Sequence, residues 1–153
     1  MYGTEALGVM RIEKGHAAGN ELDGRSTAAH LGLGGFVSKK KDCIGKVLSI
    51  REGLANDVRM VGFMPVNPKN KLTNGAHLMT AGDTANPEND QGHMSSVAWS
   101  PSLQSYVGLG FLKDGANRKG EILKAVDYMR NNHVDVKVVS AHFVDPDGER
   151  LRV

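Results

Sequence analysis

From position 58 onward the chain is cut repeatedly by clusters of glycine, proline and asparagine: "NPKNKLTNG", "GDTANPENDQG", "SPSLQS", "DGANRKG" and "MRNN". Such clusters supply the backbone conformations and side-chain hydrogen bonds that turns require. They leave runs at 58–65, 76–81, 92–99, 106–113, 121–128 and 133–144, each of strand length and too short for a typical helix. The last run alternates clearly, with Val134, Val136 and Val138 on one face and Asp135 and Lys137 on the other. Six short strands with no long helix between them predict an antiparallel barrel rather than a parallel sheet. The turn "DPDGE" at 145–149 reads as a hairpin turn ahead of 150–153.

Ahead of position 56 the pattern is helical. Gly3 or Thr4 can start a first helix and Gly15 can end it, while "CIGKVLSIREGLAN" predicts a second with Ile44, Val47, Leu48 and Leu54 inward. The expected class is therefore α+β: a short N-terminal helical segment over 1–55, then a six-stranded antiparallel barrel over 56–153.

Within the first helix, Ala6, Val9, Met10 and Ala17 fall on one side, with Leu7 and Ile12 at its margins. Glu13 lies among them, four residues after Val9 and three after Met10. A carboxylate in an apolar seam is costly unless it is paired, protonated or hydrogen-bonded. Two readings stay open at this point. Glu13 is a structural lock between helix and neighbour, or it receives a ligand that offers two adjacent N–H donors, as the edge of a guanidine-like heterocycle does.

Other conspicuous residues carry weaker signals. Six histidines, at 16, 30, 77, 93, 133 and 142, lack the spacing of a metal site. "LGLGG" at 31–35 has neither a preceding strand nor a GK[ST] ending, so a tight loop into Phe36 is expected instead of a phosphate cradle. Cys43, at an apolar helix start, is expected to be a buried inert thiol and can form no internal disulfide. Lys39, Lys40 and Lys41 make a solvated edge, or a patch for an acidic partner or nucleic acid. A formal charge of +2, from 19 basic and 17 acidic residues, gives little support to nucleic acid. No apolar run reaches the roughly 20 residues of a membrane span, and the start "MYGTEALG" does not read as a signal peptide, so the expected compartment is the cytoplasm.

Three longer stretches bear a family likeness. "YGTEALGVMRIEKGHAAGNELDGRSTAAHLGLGGFVSKKKDCIGK", "NDQGHMSSVAWSPSLQSYVGLGFLK" and "HFVDPDGERLR" closely resemble the carboxyl-terminal region of the α subunit of heterotetrameric sarcosine oxidase. That region is similar to the folate-binding aminomethyltransferase of the glycine cleavage system and to dimethylglycine oxidase. The most specific parts are the "LGVMRIEKG" helix, the "SKKKD-x-IGK" turn and the "S-x-x-W-SPSL" strand with "VGLG" after it. Cys43 stands where the family usually has phenylalanine.

The resemblance implies that Glu13, the glutamate of the family's "R-[IL]-E-x-G" helix, hydrogen-bonds the pterin ring of tetrahydrofolate. It implies that 1–55 are the end of an aminomethyltransferase-like folate-binding domain. The parent enzyme would demethylate sarcosine oxidatively and pass the one-carbon unit to tetrahydrofolate, with flavin and NAD bound elsewhere and the catalytic aspartate upstream. As a fragment, this chain is expected to lack oxidase activity. Its partners would be the upstream region of the α subunit and the other subunits, and alone it would self-associate through the apolar surface they cover. The alternative, of another class, is a stand-alone barrel that contacts an acidic partner or nucleic acid through Lys39–Lys41.

Overall fold

The computed structural model describes residues 2–53 and 57–152. Six strands close into an antiparallel barrel: β1 (Val58–Pro65), β2 (His77–Thr80), β3 (Gly92–Ser100), β4 (Ser105–Lys113), β5 (Ile122–Asp127) and β6 (Asn132–Val139). Their order around the barrel is β1-β4-β3-β2-β5-β6, with β6 returning to β1. The expected barrel is present, and its first strand has the bounds read from the sequence. Inside it, Phe63, Leu72, Leu78, Met94, Leu123, Val136 and Val138 make a continuous core. The alternation of β6 holds, since Val134, Val136 and Val138 are buried while Asp135 and Lys137 are exposed.

Strand β4 shows how the barrel prepares a seat for the helix. Val107 and Leu109 point outward to a second apolar cluster, and Gly108 and Gly110 fall on the opposite parity, toward the interior. A Cβ on Gly110 would lie 3.0 Å from Met94 Cα and 3.0 Å from Phe63 Cε2, so the "VGLG" stretch needs glycine there for the sheet to close around its core. Both faces of β4 are thereby buried.

The seat is filled by α1 (Thr4–Glu13), which starts after an extended Gly3 and ends at Lys14. Gly15 follows with φ +75°, the left-handed conformation that commonly stops a helix. Ile12 is buried against Val107 and Leu109, with Met64, Ala98, Ala141 and Phe143 around it. Burying such a side chain contributes about 1.5–3 kcal/mol.

In the N-terminal part Ile12 and Glu13 of α1 are buried while Ala6, Leu7 and Met10 are exposed, which is the uncovered apolar surface the sequence leads one to expect. The second predicted helix is reduced to α2 (Lys46–Ser49); Leu54 and the end of that stretch lie outside the described residues. Ile44, Val47 and Leu48 are exposed instead of turned inward, and Cys43 is exposed instead of buried, because the short α2 joins no apolar core among the described residues. At the other end β6 stops at Val139 rather than at 144. Residues 145–148 form a turn leading into a 3-10 turn (Glu149–Leu151) in place of a hairpin. Among the described residues no helix is long and apolar enough to cross a membrane.

Candidate functional site

Three consecutive residues of α1 meet three alternate residues of β3. Positions 96, 98 and 100 of the strand share a face by its two-residue period, and they carry Ser, Ala and Ser. Arg11 Nη2 donates to Ser96 Oγ at 2.6 Å, Ile12 packs in the cluster that includes Ala98, and Glu13 Oε1 accepts from Ser100 Oγ at 2.5 Å. The "RIE" of the helix motif and the "SVAWS" of the strand motif are thus complementary surfaces. Ser100 Oγ also accepts from the Leu103 N–H at 3.1 Å, which turns its proton toward the carboxylate.

Glu13 is buried, with 8% of its surface exposed, and its backbone carbonyl accepts from the N–H groups of Phe143 and Val144 at 2.9 and 3.0 Å. Its Oε2 has no hydrogen-bond donor among the described residues. No fully buried side-chain oxygen or nitrogen among them lacks a partner, so Oε2 keeps contact with the surface. The α1–β3 seam opens into a groove of about 750 Å³ whose lining includes Glu5, Val9, Arg11, Ile12, Val97, Trp99 and Pro101 but not Glu13. Glu13 therefore presents one fixed and one available oxygen.

A second buried carboxylate, Glu21, was not singled out by the sequence, and it behaves differently. It is fully buried; its Oε1 accepts from Ser95 Oγ and Ser96 Oγ, both at 2.5 Å, and its Oε2 from Arg11 Nη1 at 2.8 Å and the Ala18 N–H at 2.9 Å. Consecutive strand residues normally point to opposite faces. Here β3 slips register against β4 between Met94 and Ser96, and this bulge lets both hydroxyls reach one oxygen. Burial pushes the Glu21 pKa up, but the two serines, the Ala18 N–H and Arg11 outweigh it and hold the carboxyl below its ordinary value. Every lone-pair direction has a donor, so Glu21 is a structural anchor that orients Arg11.

The remaining expected residues do not join this site. Lys39, Lys40 and Lys41 are exposed on a loop organised locally, with Ser38 Oγ accepting from the Lys40 and Lys41 N–H groups and Lys46 Nζ donating to the carbonyls of Lys39 and Lys41. Among the described residues no cluster of three or more His, Cys, Asp or Glu side chains is placed to hold a metal ion. His77 and His93 face each other across β2 and β3, and His77 Nδ1 lies 2.8 Å from Asp90 Oδ2, far along the barrel from Glu13 in sequence and register.

Residues 59–145 match the glycine cleavage T-protein C-terminal barrel domain. The chain belongs to that barrel family. Sequence similarity runs beyond the barrel. The chain is 38% identical over 155 residues to the sarcosine oxidase subunit alpha of Rhizobium meliloti (strain 1021), a match covering 99% of this chain and 16% of that protein. It is 37% identical over 155 residues to the sarcosine oxidase subunit alpha of Corynebacterium sp. (strain U-96), covering 97% of this chain and 16% of that protein. The chain thus spans 16% of the length of these relatives. The chain is also similar in structure to the glycine cleavage system aminomethyltransferase T from Bartonella henselae, with a TM-score of 0.72 over 92% of this chain and 38% of that one. At 22% identity that likeness concerns the fold.

Proposed function

We propose that this chain is the C-terminal part of a sarcosine oxidase α-subunit-like protein, and that its α1–barrel seam is one wall of a tetrahydrofolate pocket. In this reading residues 1–55 complete a folate-binding domain, 56–153 form the barrel that braces it, and Glu13 receives the pterin ring. One observation carries it: Glu13 is a buried carboxylate whose Oε1 is held by Ser100 and whose Oε2 has no donor among the described residues. A pterin edge presents a ring N–H beside an exocyclic amine, a spacing that two carboxylate oxygens match. Each carboxylate oxygen has about two acceptor directions, so Oε1 can hold Ser100 and still accept from the ligand. The acceptor pair of Glu13 fits the group.

When bound, tetrahydrofolate supplies the nitrogen nucleophile that takes up a one-carbon unit released from sarcosine. The chain's own residues bind and orient. Glu13 fixes the pterin edge and Ser100 fixes Glu13, whose burial strengthens the charge-assisted hydrogen bonds. The flavin and NAD of the parent enzyme belong to regions outside this chain, and no residue here is given to them.

A stand-alone interaction barrel working through Lys39–Lys41 is the weaker reading, since similarity to the α subunits extends through α1 and the loop as well as the barrel. The test is a titration of tetrahydrofolate into the assembled enzyme, wild type and Glu13→Gln, with a thermal melt alongside. Weaker binding in a stable variant supports the folate role. Equal binding in a stable variant refutes it.

A further inference from the structure

The segment after β6 turns aside at Ser140 and wraps the end of α1. Glu13 O accepts from two of its N–H groups, those of Phe143 and Val144, and His142 Nδ1 lies 2.8 Å from Lys14 O. Gly15 comes so close that a Cβ there would lie 2.5 Å from Ala141 O, on a residue already at φ +75°. Lys14 completes the clasp. Its ammonium donates to the backbone carbonyl of Asp145 and lies 3.3 Å from Asp145 Oδ2. Asp145 is itself held. It adopts φ +48°, a left-handed conformation uncommon outside glycine, and its Oδ1 accepts from the Glu149 N–H at 2.9 Å.

We propose that the Lys14–Asp145 pair is a positioning device for Glu13, fixing the end of α1 so that the carboxylate faces its ligand in one orientation. This rests on the folate reading above and deepens it. Helix ends fray because their last carbonyls lack intrahelical donors. Glu13 is the last residue of α1, where an unrestrained carboxylate would sample several directions. Here its own carbonyl, the next carbonyl and the next side chain are each tied to residues 142–145. A side chain held before binding loses less entropy on binding, so the clasp raises affinity without touching the ligand. Lys14 occupies the unspecified position of the "R-[IL]-E-x-G" pattern, so the motif alone would not have drawn attention to it.

The test uses the assembled enzyme carrying this chain and reads tetrahydrofolate dissociation constants by fluorescence titration, with melting temperatures and amide exchange at 13–15. Lys14→Met keeps the stem and removes the charge. Asp145→Asn keeps an oxygen for the Glu149 N–H but weakens the pair. Lys14→Arg keeps the cation. We expect Lys14→Met and Asp145→Asn each to weaken folate binding about two- to fivefold, the scale of a partly exposed ion pair, with faster exchange at 13–15 and a nearly unchanged melt. Lys14→Arg should restore affinity. Wild-type affinity in Lys14→Met and Asp145→Asn beside a weakened Glu13→Gln overturns the positioning role alone. Affinity lost only in step with the melting temperature, without rescue by Lys14→Arg, also overturns it. Wild-type affinity in Glu13→Gln overturns the folate reading, and the positioning role with it.

Discussion

Ser100, the last residue of β3, donates its hydroxyl to Glu13 Oε1 across the helix–barrel seam at 2.5 Å, while its own oxygen accepts from the Leu103 N–H. The bond joins residues 87 apart in sequence, and it places a turn-forming serine of "SPSL" under a helix carboxylate. Strand and helix motif are therefore two halves of one arrangement.

Removing that hydroxyl isolates a buried charged acceptor. Ser100→Ala is expected to destabilise the fold by about 1.5–3 kcal/mol, the value of a hydrogen bond to a charged group. Ser102→Ala, on the exposed side of the same turn, should stay within about 0.5 kcal/mol. Urea unfolding of both variants checks the contrast, and similar losses for the two would contradict it.

Glu21 governs a different property. Its carboxyl is held below the ordinary value of 4.5, so near that pH the folded protein binds fewer protons there than the unfolded chain. Its contribution to stability is complete above 4.5 and drains away as pH falls through the depressed folded value. Glu21→Gln removes this dependence and takes from Arg11 its charge partner, at a cost of about 3 kcal/mol near neutrality, the lower end for breaking a buried pair. Stability curves from pH 7 to 3 should show the variant with a shallower acid limb. An unchanged limb would contradict the account.

Apolar side chains outside the barrel predict how the chain behaves alone. Leu7, Met10, Ile44 and Val47 are all exposed. Exposed apolar surface of this kind favours association. Sedimentation of the isolated chain is expected to show concentration-dependent self-association that falls when Leu7, Met10 and Ile44 are replaced by lysine. A strict monomer at high concentration would count against it.

Sequence legibility followed physical locality. The strands of the barrel were readable because turn chemistry and two-residue alternation are local, and β1 and β6 show both. The pattern carries β6 too far because "SAHFV" is as apolar as a strand, yet its Phe143 and Val144 N–H groups are used by Glu13 of a helix far away in sequence. Helical periodicity marks an apolar face but not its partner, and of that face the barrel buries only the end at Ile12 and Glu13. The carboxylate of Glu13 was visible as a charge out of place. Glu21 was not, because its serine partners lie 74 and 75 residues away and converge only through a bulge, which breaks the alternation a sequence reader relies on.

The central claim, that Glu13 binds the pterin, is tested most directly by measuring tetrahydrofolate affinity in the assembled enzyme with Glu13→Gln. Glutamine keeps the size, loses the charge and turns one acceptor into a donor facing the pterin's donors. A lost charge-assisted bond is worth about 1.5–3 kcal/mol, or about ten- to a hundredfold in affinity. The account predicts that loss in a variant that melts normally and whose flavin is still reduced by sarcosine at near the wild-type rate. Wild-type folate affinity in the stable variant would contradict it, as would a low melting temperature with all activities impaired together.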